Sequence, residues 1–275
     1  MKDLLEISCG LDVHKEKIVA CILKGPLGKP TRSEIREFTT LIPDMAALRD
    51  WIVSQNCHHV AMESTGIYWM PVYEILEDAF AGDITLLVVN ARHMKNVPGK
   101  KTDMCDSEWI STLLRAGLLN GSFIPEKRIR EFRHLNRYRK SIIRDITSQK
   151  NRIDEILMSV NGILSEHQRF FLRILMDHCD SLKEYLSQIE ALSAEEMAPF
   201  ALQVEQLNSI NGISTTASCA VIAEIGTDMS PFKTAEHICS WASLCPGNNE
   251  SAGKRKGTSV TKGNPYIKSM LCEIA

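Results

Sequence analysis

The sequence predicts an α/β plus α protein. A mixed-sheet α/β domain is expected over residues 1–124, a helical coiled-coil region over 125–205, and a small, mainly helical domain over 206–275. Three observations carry this. Short apolar runs alternate with amphipathic stretches up to about residue 124. From residue 125 the apolar period becomes helical and the strand-like alternation stops. After residue 205 a helix–turn–helix pattern leads into a stretch rich in Gly, Ser and Lys.

The elements follow in order. "EISCGLDV" reads as a strand ending near Asp12, "KIVACILKG" as its hairpin partner, and "RSEIREFTT" as a third strand of alternating polarity. "IPDMAALRDWIVSQ" is an amphipathic helix opened by Pro43 and Asp44. "HHVAMES" is an apolar strand running into a turn. "GIYWMPVYEILEDAF" is helical, with Pro71 in its first turn or at a kink. "ITLLVVN" is a buried strand, and a helix is expected from about Asp103 to Leu118. In the middle region Ile129, Phe132, Leu135, Ile142, Ile146, Ile153, Ile156 and Leu157 recur at a period that suits long helices, paired with each other or with a second subunit. "VEQLNSINGISTTASCAVIAEIG" reads as a helix–hairpin–helix with Gly212 in the turn. The final helix stops at Ala275 in mid apolar pattern without a cap signal, so a longer natural chain is expected.

Composition excludes several classes. The longest apolar runs are far too short to span a bilayer, and "MKDLLEISCG" lacks a signal-peptide core, so a cytoplasmic protein without membrane contact is expected. None of the nine cysteines forms a C-x-x-C pair, which argues for reduced thiols and against a zinc site. The net charge of −2 hides an uneven distribution. Residues 124–153 carry ten Lys/Arg against three acids, and 251–275 carry five against one, whereas 184–206 hold five Glu and no Lys or Arg. The basic stretch, interleaved with Phe132, His134 and Tyr138, reads either as a solvated helix face or as a nucleic-acid surface, with Arg128, Arg133, Arg137, Arg139, Lys140 and Arg144 as contacts.

Chemistry is expected first from carboxylates. Asp12 and Glu63 sit at predicted strand ends, and Asp103 and Asp106 open a predicted helix at i, i+3 behind Lys100 and Lys101. Singly, each has a plainer meaning: a strand-end acid, a turn residue, an N-cap, or a charge suited to the helix dipole. Jointly, four carboxylates at neighbouring strand ends and a helix start suit two Mg²⁺ ions acting on a phosphodiester, with the lysines near a polyanion. The turn at Gly212 would aim helix N–H groups at DNA phosphate, or it is an ordinary helical hairpin. In "PGNNESAGKRKG", Ser251 beside Lys254, Arg255 and Lys256 is either a bland loop serine or a nucleophile toward phosphate. No histidine in that loop identifies a base. Lys262 adds to the same basic patch.

Four stretches, "GLDVHKEKIVACIL", "AMESTGIYWMPVYEIL", "LVVNARHMKNVPGKKTDMCDSEWISTLLRAGLL" and "SINGISTTASCAVIAEIG…TKGNPYIKSML", resemble the DEDD-type insertion-sequence transposases of the IS110 family, the bridge-RNA-guided recombinases, which include the Piv-type DNA invertases. The resemblance runs from Cys9 to the end of the chain, with the helical middle the least distinctive part. It implies a RuvC-like (RNase H) domain, a coiled-coil middle and a C-terminal transposase domain. It also implies Asp12, Glu63, Asp103 and Asp106 as Mg²⁺ ligands and Ser251 as the residue that links covalently to DNA. The partners it implies are donor and target DNA, a noncoding guide RNA, and further copies of the chain as a dimer or tetramer, working in the prokaryotic cytoplasm at the nucleoid. Ser107 stands where the family usually has Ala, and family members usually continue past residue 275. The alternatives are a protein-guided invertase or junction resolvase, and an inactive nucleic-acid-binding fragment.

Overall fold

The computed structural model describes residues 3–64, 66–80, 82–90, 94, 97, 104–246, 250–251, 254–255, 260 and 263–275. The chain folds as two compact units, Met1–Ile124 and Pro125–Ala275.

In the first unit, β1 (Ile7–Val13), β2 (Lys17–Lys24), β3 (Arg32–Thr39), β4 (His59–Glu63) and β5 (Thr85–Val89) form one sheet of order β3-β2-β1-β4-β5. β1–β2 and β2–β3 pair antiparallel, while β1–β4 and β4–β5 pair parallel. This mixed five-stranded sheet with flanking helices is the mixed-sheet α/β layer arrangement expected from the sequence. β1 is central and reads as a nearly continuous apolar run because both of its faces are covered. β3 lies at an edge, and its exposed positions include Arg32, Ser33, Arg36 and Glu37.

The period-2 alternation of the strands decides what each face holds. Cys9, Leu11, Val13, Val60 and Met62 point to one face. There they pack with Leu48, Trp51 and Ile52 of α1 (Ile42–Ser54) and with Val72 and Leu76 of α2 (Trp69–Phe80). Pro43 and Pro71 sit in the first turns of these helices, where a missing N–H costs nothing. The opposite face receives Ser8, Gly10 and Ala61, and α3 (Asp106–Arg115) lies across it through Trp109, Ile110, Leu113 and Leu114.

α3 approaches β1 very closely. A Cβ on Gly10 would stand 2.1 Å from the Ser107 carbonyl oxygen and 2.4 Å from the Ser111 nitrogen. The small Ser107 is fully buried at this contact. Ser111 donates its hydroxyl to the Ser8 carbonyl at 3.0 Å, and Ser8 donates to the Ser111 carbonyl at 3.1 Å. At the far end of α3, the Arg115 side chain is 2% exposed. Its guanidinium donates to the carbonyls of Glu6, Gly25 and Pro26, and its Nε forms an ion pair with Asp3 at 3.3 Å. A buried charge of this kind is tolerated because carbonyl dipoles and a carboxylate replace its water.

In the second unit, α4 (Lys127–Met158) and α5 (Glu166–Met197) are 32 residues each, roughly 48 Å of helix. Ser165 caps α5 in a reciprocal box with Gln168. Ile129, Phe132, Ile142 and Ile146 are buried as their period requires. Leu157 is half exposed and Met158 is 85% exposed, because two helices alone cover only one stripe of each other. α6 (Ala201–Asn208) and α7 (Thr215–Ile225) follow, and Ile222 and Ala223 of α7 pack on Ile129 and Phe132. The helical middle and the C-terminal region, read separately in sequence, therefore share one compact unit. α8 (Ala235–Trp241), a hairpin of β6 (Glu250–Ser251) and β7 (Lys254–Arg255), and α9 (Pro265–Ile274) complete it. Among the described residues no helix is long and apolar enough to cross a membrane.

Candidate carboxylate site and serine hairpin

Parallel pairing brings the first two carboxylates to one sheet edge. Leu11 is the partner of Met62 in the last paired row of β1 and β4, and the next residues are Asp12 and Glu63. Alternation turns both toward the face that α3 covers. Asp106 is the first residue of that helix, seated over Gly10. The Asp12 carboxyl is raised above the ordinary aspartate range, chiefly by burial. The charge and hydrogen bond of His14 oppose this shift, while the negative charges of Asp106 and Glu63 reinforce it. The charges of two further acids thus reach Asp12 at this edge.

The start of α3 corrects the sequence expectation. Residues 104–105 are not helical and Cys105 is the N-cap, so the helix begins at Asp106 and the i, i+3 argument for one shared helix face does not hold. Asp106 and Glu108 lie in the first turn, where the helix dipole favours acids. Asp103, Lys100 and Lys101 lie outside the described residues. Among the described residues no three of His, Cys, Asp and Glu stand close enough to hold a metal ion. The donor chemistry nevertheless fits a hard divalent cation: the acids offer only oxygen, Asp12 and Glu63 are partly buried while Asp106 is exposed, and a cation would offset the like charges that bear on Asp12.

Sequence reasoning missed His14. Its Nε2 lies 3.2 Å from Asp12 Oδ2, and its side chain is 59% exposed. The available signal was proximity, since His14 opens the turn directly after β1, two residues beyond Asp12.

The segment expected to be a loop around Ser251 is a β-hairpin. Glu250 pairs with Arg255, Ser251 with Lys254, and Pro246 forms a bridge with Val260. Ser251 is the last paired residue before a two-residue connection. The side chains of Ser251, Lys254 and Arg255, together with Lys256 and Lys262, lie outside the described residues.

The basic helix face is largely engaged internally. Arg128 pairs with Glu196, and Arg139 donates twice to Glu190. Arg133 donates to the carbonyls of Ala223 and Glu224, and Arg137 grips the Glu224 carboxylate with two bonds. Lys140 donates to Ser269. Of the six cations, Arg128 and Arg144 are exposed, and among the described residues Arg144 donates a long 3.4 Å bond to the Lys140 carbonyl. The acidic stretch 184–206 supplies two of the counter-charges. Burial lowers the Arg133 guanidinium to about 10, still charged at neutral pH. Gly212 takes φ +90°, a conformation that favours glycine, and turns α6 into α7. Ser214 caps α7 by accepting from Ala217 N.

Two family models match the chain. One described as "Transposase", of the DEDD IS110 type, covers residues 9–161, and one described as "Transposase IS116/IS110/IS902 family" covers 204–275. A protein of Sinorhizobium fredii, y4qE, whose given name classes it with the transposases, is 23% identical over 185 residues. The match takes in 64% of this chain and 47% of that protein, so the chain spans about half the length of the curated relative it matches. Among solved structures, Thermus thermophilus RuvC is similar at a TM-score of 0.31 and 8% identity, covering 42% of this chain and 99% of that one. The Fowlpox virus resolvase, solved with Holliday junction DNA, is similar at 0.30 and 10%, covering 40% and 96%.

Proposed function

The chain belongs to the IS116/IS110/IS902 family of transposases, and from that premise we propose that it cuts and rejoins DNA for an insertion sequence, guided by a noncoding RNA. The observation that carries the reading is the gathering of Asp12, Glu63 and Asp106 at one sheet edge, where each acid's charge is felt by Asp12. Asp12, Glu63, Asp103 and Asp106 would hold Mg²⁺, and two such ions are the expected complement. When bound, the metal supplies positive charge against the phosphodiester oxygens. Ser251, at the tip of its hairpin, attacks phosphorus. The new Oγ–P bond replaces one P–O bond of the strand, the serine proton passes to a base, and the departing strand oxygen is protonated. The reverse reaction on a second DNA end rejoins the strand.

The partners are donor and target DNA, the guide RNA, and further copies of the chain as a dimer or tetramer at the prokaryotic nucleoid. Exposed Met158, Ile163 and Phe170 near the turn of the α4–α5 hairpin support self-association. Lys100, Lys101, Arg144, Lys254, Arg255, Lys256 and Lys262 are the cations we assign to nucleic acid, with the Gly212 turn as a phosphate contact.

The test is to express the chain with its native flanking DNA, purify it and sequence the RNA that accompanies it. A discrete RNA mapping beside the gene is expected. A folded, monodisperse protein without enriched RNA would favour a protein-guided invertase or resolvase, the more so if it cleaved branched DNA unaided. Activity is also expected to vanish in EDTA and in Asp106→Asn, by about a hundredfold or more in strand-exchange rate. Full activity in EDTA would remove the metal from the mechanism.

A further inference from the structure

Glu224 is 1% exposed in α7, and the mechanism above gives it no role. It is an acid inside the apolar run "AVIAEIG", which is the sequence signal for a buried polar hub. Arg137 Nε and Nη2 donate to its two oxygens at 2.8 and 2.7 Å, and Arg137 also lies over the Tyr266 ring at 4.3 Å. A third donor reaches the same carboxylate: Asn264 Nδ2, at 2.6 Å.

Asn264 occupies the root of the serine hairpin. Its Oδ1 caps α9 by accepting from Tyr266 N at 2.9 Å and Ile267 N at 3.3 Å. Its backbone N–H donates to the Trp241 carbonyl at 2.9 Å, which joins the chain leaving the hairpin to the chain entering it. The crossing is tight, since a Cβ on the adjacent Gly263 would stand 2.2 Å from that same carbonyl oxygen. Capping needs only a side-chain oxygen, which Asp or Ser supplies as well as Asn does. The Asn264 amide nitrogen is therefore surplus to the cap, and it is spent on a buried carboxylate anchored to α4.

We propose that Glu224 and Asn264 are positioning residues that fix the root of the Ser251 hairpin, so that the serine is presented in one place. The catalytic half of this statement rests on the reading of Ser251 as the nucleophile.

The experiment compares wild type, Asn264→Asp, Glu224→Gln and the double exchange Glu224→Gln/Asn264→Asp. Asn264→Asp keeps the capping oxygen but sets a second carboxylate against Glu224. The double exchange restores an amide–carboxylate pair and the cluster's total charge. Two readouts are taken: amide hydrogen exchange of peptides spanning residues 243–263, and the rate of covalent adduct formation on labelled element-end DNA with flank-encoded RNA. Asn264→Asp is expected to speed exchange in 243–263 and to slow adduct formation about tenfold or more, with DNA affinity unchanged. The double exchange is expected to recover both.

Wild-type exchange in Asn264→Asp, or no recovery in the double exchange, would overturn the proposal. Should Asn264→Asp not fold, Glu224→Gln decides by the same exchange readout, because weakening the pair must loosen 243–263 while the α9 cap stays intact. Hydrogen exchange requires no chemistry at Ser251. An adduct that persists in Ser251→Ala would therefore remove the serine assignment and leave the positioning of the hairpin to be judged by exchange alone.

Discussion

Ser251→Ala is expected to reduce strand exchange to background while RNA and DNA binding persist. Removing a nucleophile removes the bond-forming atom itself, and losses on the order of 10⁴-fold or more follow when a reacting group is deleted from such a site. Binding should survive because the substitution deletes one oxygen at the tip of a hairpin whose ladder is backbone-paired. The measurement is the yield of protein covalently attached to labelled DNA on a denaturing gel, beside a filter-binding isotherm for the same DNA. Recombination at the wild-type rate in Ser251→Ala would end the serine mechanism and leave metal-activated water as the attacking group. Loss of binding together with activity would instead mark Ser251 as a structural residue of the hairpin.

Gly10→Val is expected to destabilise the first unit by about 3 kcal/mol or more, the upper range for overpacking. The branched side chain suits a strand, so local propensity does not oppose it. The cost arises across the interface, where the new Cβ would meet the Ser107 carbonyl oxygen and the Ser111 nitrogen of α3 well inside contact distance. Backbone cannot yield as a flexible side chain can, so α3 must lift. The Ser8–Ser111 hydrogen bonds would then break, and Asp106 would leave the edge it shares with Asp12 and Glu63. Urea unfolding followed by tryptophan fluorescence, to which Trp109 on the sheet-facing side of α3 contributes, reads this as a lower midpoint. An unchanged midpoint would show that α3 and β1 do not approach as described.

The eight leading elements were legible because their patterns are strong and local. β1, β2, β4 and β5 are apolar runs between turn residues, and α1 and α2 carry prolines where helices accept them. The strand-end positions of Asp12 and Glu63 followed directly from those runs. The start of α3 was misread by three residues, because "KTD" offers a better capping side chain than Cys105, the actual N-cap. Tertiary packing of Ser107 and Ser111 on Gly10 sets where the helix lies, and no local signal reports that contact.

The ion pairs of the basic helix were hidden for a related reason. Its counter-charges lie far along the chain, Glu190 for Arg139 and Glu224 for Arg137, so charge counted in a window looks free when it is paired in space. The contrast with the acidic stretch at 184–206 was visible in the sequence and already held the answer for Arg128 and Arg139. The hairpin at Ser251 escaped notice because Gly, Asn and Lys carry little strand propensity. Its form depends on the root at Trp241 and Asn264, and on pairing across the bridge Pro246–Val260.

The close seat of α3 on β1 also has a consequence in time. Asp12, Glu63 and Asp106 are spread over almost the whole first unit, and β1 meets β4 only after a parallel crossover, a pairing that closes a long loop before it gains anything. A growing chain that has emerged from the ribosome as far as β5 owns two of these acids on adjacent strands but has no helix to bring the third. The edge that gathers the three acids is therefore among the last features the first unit acquires. A polypeptide arrested or clipped before residue 106 would carry Asp12 and Glu63 on paired strands and lack the third acid of the edge.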